Sequence, residues 1–214
     1  MTIRSAVESI SADQALQYLT KYYLQTEPFT GSHFESLESY NNLETVITGS
    51  DLCAVATLNT PIPREAAMGI LITEADEIND SLSRVVDREL GSLSEEEFNM
   101  HLGPDSYAQR LWDLLRRNLP GQERWDIGPT RASKIMARKR PHLIPIQDSV
   151  VKRVINQQRG DNDWRLWWEA LTADDVLENR AEELRQAINR PELSTLRVLD
   201  VLLWYSGSYG KHAQ

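Results

Sequence analysis

A single cysteine, Cys53, among 214 residues leaves no internal disulfide to form, so packing rather than cross-links must hold the fold. The four histidines, His33, His101, His142 and His212, stand far apart without ligand spacing, and with one Cys they supply no structural zinc pattern. No metal site is expected. No run approaches the roughly 20 uninterrupted apolar residues that a membrane span needs, which argues against a membrane partner. The first residues carry Arg4 and Glu8 and have no apolar core like that of a signal peptide, so the expected location is cytoplasmic. A phosphate-cradling glycine loop, a dinucleotide fingerprint and a Ser-His-Asp order are all missing, and no cofactor is expected.

Positive charge is also scarce, except in one place. The chain has a formal net charge of −9. Residues 1–120 hold 8 Lys and Arg against 19 Asp and Glu, residues 121–160 hold 9 against 3, and residues 161–214 hold 6 against 10. An acidic body with one basic segment suits local docking, because a patch acts within about a Debye length of 8–10 Å. That segment, "DIGPTRASKIMARKRPHLIPIQDSVVKRV" at 126–154, is where a functional site is expected.

Helical periodicity dominates the rest, and no internal repeat or low-complexity tract is present. Ser11 to Gln14 has the form of a capping box ahead of Leu16, Leu19, Tyr23 and Leu24, which predicts a helix near 12–25. Segment 27–47, with Pro28, Gly31, Asn41 and Asn42, reads as irregular or briefly helical. Helices are expected over 50–59, over 63–72 with Pro63 at the start, and after Thr73 as the cap of "EADEINDSLSRVV". The strongest is 104–118, with Tyr107, Leu111, Leu114 and Leu115 on one face. Pro120-Gly121 and Gly128-Pro129 then turn the chain before "PTRASKIMARKR" starts a helix with Pro at its first position. Pro141 and Pro145 bound an extended connection, and Val150, Val151, Val154 and Ile155 mark a further helical face. Helices at 163–172, from Thr172 to about 189, and at 194–207 complete the chain. The fold expected is all-α, one domain over 1–214, with a division into lobes at 1–103 and 104–214 as the alternative.

The hairpin "WDIGPTRA" at 125–132, followed by "PIQDSVVKRV" at 145–154, resembles the helix-hairpin-helix DNA glycosylase superfamily. Ile127, Gly128 and Ala132 match its hairpin half; Asp148, Val150 and Arg153 match its acidic half. The stretch from Gly128 to Val151 is still closer to an uncharacterised bacterial family of domains of unknown function, which implies no activity. The glycosylase resemblance implies a helix-hairpin-helix core at about 106–158, DNA as partner, and Asp148 as the catalytic carboxylate of base excision. Thr130 stands 18 residues before Asp148, where bifunctional members carry a Schiff-base lysine, so base removal here would be monofunctional. The sequence departs from the pattern at Asp126, in place of the first hairpin glycine, and at Pro129, which removes a backbone donor.

The physics behind such a site is separable from the likeness. A tight hairpin entering a helix points unpaired N–H groups at a phosphate, and Gly permits close approach. Ile127, Gly128 and Thr130 would form that contact, with Arg131, Lys134, Arg138, Lys139, Lys152 and Arg153 adding attraction. Asp148 could then face the sugar of an extruded nucleotide. Against this stand plainer roles: Asp148 as a helix cap or partner of Lys152, and the basic helix as a solvated face or an internal docking surface for the acidic N-terminal half. Trp164, Trp167 and Trp168 have core spacing, and Cys53 sits in an apolar run and reads as a core residue. The alternative function is a non-catalytic module binding DNA or an acidic protein.

Overall fold

The computed structural model describes residues 1–38, 43–157 and 163–210, so Asn41, Asn42 and His212 lie outside the described residues. Among the described residues the regular elements are helices and no strand is present. The α-helices are α1 (Ile3–Glu8), α2 (Ala12–Tyr23), α3 (Gly49–Thr57), α4 (Arg64–Met68), α5 (Ala75–Ser83), α6 (Glu95–Leu102), α7 (Tyr107–Arg116), α8 (Pro129–Lys139), α9 (Ser149–Val154), α10 (Trp164–Thr172), α11 (Val176–Ala187) and α12 (Thr195–Tyr209). Short 3-10 turns occupy Thr30–His33 and Leu90–Ser92, and a π turn, Gly69–Thr73, continues α4. None of these helices is long and apolar enough to cross a membrane.

Two hydrophobic clusters form the core. The larger gathers Leu82, Leu111, Trp112, Ile135, Trp164 and Trp167 from α5, α7, α8 and α10. The smaller packs Tyr18, Leu19 and Tyr22 of α2 against Leu184 of α11 and Val201, Leu202 and Tyr205 of α12. Helix α12 serves both, giving Leu196, Leu199 and Leu203 to the first and Val198, Val201 and Leu202 to the second. Each such fully buried aliphatic side chain contributes about 1.5–3 kcal/mol of transfer free energy. Because α2 packs on α11 and α12, the small cluster mixes the two ends of the chain, and neither cluster ends at residue 103.

Local signals explain most helix starts. Reciprocal capping boxes open α1 (Thr2 with Ser5), α2 (Ser11 with Gln14), α3 (Thr48 with Asp51) and α6 (Ser94 with Glu97). Helices α1 and α6 lie outside the sequence expectation, being short and weakly periodic, although "SEEE" carries the box. Thr73 does not cap α5, which starts after Glu74 without a side-chain cap. Thr172 donates back to the Trp168 carbonyl at 2.9 Å, while Asp174 accepts from Val176 N at 3.1 Å. The Pro141–Pro145 connection begins as a turn, with Leu143 and Ile144 N–H groups donating to Arg140 O. Cys53 is exposed rather than core, because α3 turns Leu52, Ala54 and Val55 inward. Trp164 and Trp167 are buried, as their spacing predicts.

Candidate functional site

The chain bends at Asp126 just before α8. Asp126 has φ of 62°, Ile127 is buried, and Gly128 is the N-cap in extended conformation with Pro129 following. A Cβ at Gly128 would meet nothing within 4 Å, so its own fold does not demand glycine there. Arg131 bridges that bend and the stretch before α4, donating to Pro61 O and Asp126 O, each at 2.9 Å.

The basic row of α8 turns inward. Lys134, Arg138 and Lys139 are all buried, so they are not presented to an external phosphate. Arg138 donates through Nε to Asp51 Oδ1 (3.2 Å), through Nη1 to the carbonyls of Phe34 and Glu35 (2.6 and 2.7 Å), and through Nη2 to that of Leu37. Lys139 Nζ reaches Asp51 Oδ2 at 3.1 Å. Arg140 binds the carbonyls of Val85, Leu82 and Glu44. The long apolar stems fill the interface while the heads meet the acidic N-terminal half, the internal docking arrangement open to such a helix. On α9, Lys152 donates to Gln147 Oε1 (2.9 Å) and approaches Asp163 Oδ1 (3.8 Å), leaving Arg153 exposed.

Asp148 and Thr130 both line a cavity of about 430 Å³. Asp148 caps α9: its Oδ1 accepts the Val150 N–H at 2.8 Å. Its Oδ2 lies 3.4 Å from Lys134 Nζ, which also donates to Leu58 O at 3.2 Å. Burial holds the Lys134 ammonium below the ordinary lysine range, against the pull of Asp148. Asn59, with φ of 56°, carries the chain past this contact on the cavity wall.

Helix α12 supplies the other charges. Arg197 donates to Glu35 Oε1, to Asp200 Oδ2 (2.7 Å), to the Tyr22 hydroxyl (3.0 Å) and to Gly31 O (2.9 Å). Burial raises the Asp200 carboxyl to about 6, despite Arg197, and the charge of Asp148 pushes the same way. Aromatic side chains line the same cavity: Phe29 stacks on Tyr22 at 5.3 Å, and Trp204 lies edge-on to Phe29 at 5.6 Å. Tyr209 completes this aromatic wall, 5.8 Å from Phe29. Among the described residues no group of three His, Cys, Asp or Glu side chains is placed to hold a metal ion.

Sequence reasoning missed Tyr22, Phe29, Arg197, Asp200 and Trp204. A signal existed for two of them, since Arg197 and Asp200 are the only charges in the otherwise apolar "STLRVLDVLLWYSG", spaced i, i+3 on one face.

Residues 15–207 match a family of unknown function (DUF6308), and the chain belongs to that family. Neither curated proteins nor solved structures gave a match.

Proposed function

We propose that the cavity beside Asp148 receives one nucleotide turned out of a DNA strand, and that Asp148 assists hydrolysis of its N-glycosidic bond. The observation that carries this reading is the placement of that carboxylate and an aromatic wall around one cavity of about 430 Å³, within the size range of small-ligand pockets. An extruded base would stack on Phe29 or Trp204. As the sugar–nitrogen bond breaks, its electron pair leaves with the base and positive charge grows on the sugar, where a carboxylate stabilises it. Water then adds to the sugar carbon and gives up a proton, while the base takes one. The open space at Gly128 suits approach of the strand. With Arg138 and Lys139 engaged internally and Lys152 held by Gln147 and Asp163, Arg153 is the exposed cation of α9, and DNA affinity is expected to fall only shallowly with salt.

One observation favours a second reading, a binding module without hydrolysis: Asp148 already serves as the cap of α9. Asp148→Asn separates the two, because Asn keeps the cap and loses the charge. Base release from a panel of damaged and modified duplexes, with abasic sites revealed by alkali, is expected in the parent and reduced about 100-fold or more in the variant. Release by the variant at the parent rate, or none by the parent while DNA still binds, would overturn hydrolysis; the second outcome supports the module. Strand cleavage without alkali would replace the monofunctional course and give the Lys134 amine a role that Thr130 cannot take.

A further inference from the structure

A second cavity of about 410 Å³ adjoins the first and shares Ile146, Arg197 and Asp200 with it. Its remaining lining is largely apolar, with Phe34, Pro141, Ile144 and Leu196, and Glu35 beside them. Both bordering guanidiniums already have strong partners. Arg138 holds Asp51 and three carbonyls; Arg197 holds Glu35, Asp200, Tyr22 and Gly31.

The carboxylates are less complete. Glu35 and Asp200 each give one oxygen to Arg197, while Glu35 Oε2 and Asp200 Oδ1 are buried and accept from no group among the described residues. Asp200 is only 5% exposed. A buried acceptor left without a donor is costly, and these two belong to carboxylates held by the same guanidinium. The unmet capacity of this cavity is therefore for hydrogen-bond donors, and preferably charged ones, since the acceptors are anionic. Both free oxygens belong to side chains that line the cavity, and the soft terminal torsion of a carboxylate lets either turn toward an occupant.

We propose that this second cavity binds a small molecule with a compact apolar body and a cationic nitrogen head, an amidinium or ammonium, seated between Glu35 and Asp200. The apolar body would lie against Phe34, Ile144 and Leu196, and the head would donate to the two oxygens that Arg197 leaves free. This site stands whether or not the neighbouring cavity is hydrolytic.

The test is calorimetric titration of the full chain at neutral pH with benzamidine, with benzyl alcohol as the uncharged comparison and benzoate as the anionic one. Saturable binding of benzamidine is expected, with benzyl alcohol at least tenfold weaker and benzoate undetectable. Glu35→Gln and Asp200→Asn should each weaken benzamidine about tenfold or more, the loss of one charge-assisted hydrogen bond. Ser36 is an exposed residue of the lining, so Ser36→Trp should obstruct entry without disturbing the core. Melting curves establish that each variant is folded, and Glu35→Gln carries the test if Asp200→Asn is not. The site is overturned if benzamidine does not saturate, if the alcohol binds as well as the amidine, or if Glu35→Gln and Ser36→Trp both leave the affinity unchanged.

Discussion

Helix α8 sends buried cations into two regions that treat them differently. Around Asp51, Arg138 and Lys139 each meet a separate carboxylate oxygen, and Thr48 N–H adds a further donor at 2.9 Å. Around Asp148 and Asp200, the contacts are fewer: Lys134 stands 3.4 Å from one oxygen of Asp148, and Asp200 Oδ1 has no partner among the described residues. The first cluster fastens the helix to α3 and to the carbonyls of the 34–37 turn. The second borders the cavities. The cations are buried in both, while Asp51 is buried and Asp148 only partly so; what separates a fastening from a site is how completely the hydrogen-bonding capacity is used.

The largest expected effect tests the fastening. Arg138→Met should destabilise the protein by about 3–5 kcal/mol, because it leaves part of Asp51 and three carbonyls without their donor in the interior. Urea unfolding measures this, and a loss under about 1 kcal/mol would show that water replaces the guanidinium, erasing the contrast between the two regions.

The next effect depends on pH. The folded value of Asp200, about 6, lies above its ordinary 3.8, so the proton favours the fold. That contribution is fully present below about pH 4 and is lost as the pH rises through 6. Asp163, also raised to about 6 by burial, acts in the same direction. Asp200→Asn mimics the protonated side chain, so between pH 4 and 7 its stability should gain on the parent's by about 1–3 kcal/mol. Urea midpoints across that range measure it, and parallel curves for parent and variant would mean that Asp200 ionises like an ordinary carboxyl.

The smallest effect is at Lys134. Lys134→Met removes an ammonium that burial already disfavours, and Asp148 retains its Val150 contact and access to the cavity. Its melting point should correspond to a change of no more than about 1 kcal/mol in either direction. A loss as large as that of Arg138→Met would place Lys134 with the fastening instead.

The all-helical character was legible because periodic apolar faces and Pro or Ser starts recur along α2, α7, α8 and α12. Asp148 was legible both as a cap and as a cavity residue, since an N-cap carboxylate at a chain turn keeps one oxygen available. The orientation of the basic row was not. Lys and Arg stems pack like apolar side chains, so sequence periodicity does not show whether their heads point to water or to an acidic partner distant in sequence, as Asp51 is from Arg138. The aromatic wall also escaped notice, because Phe29 and Tyr22 come from one end of the chain and Trp204 from the other.

Helix α12 belongs to both hydrophobic clusters, which has a consequence on the timescale of hours. Amide protons at the helix ends can exchange with solvent by fraying, but those of Val198 to Leu203 lie where neither cluster can open without uncovering the other. Exchange there should require unfolding of the whole protein, and these amides should be the slowest to take up deuterium. Arg197 and Asp200 are thus mounted on the segment that yields last.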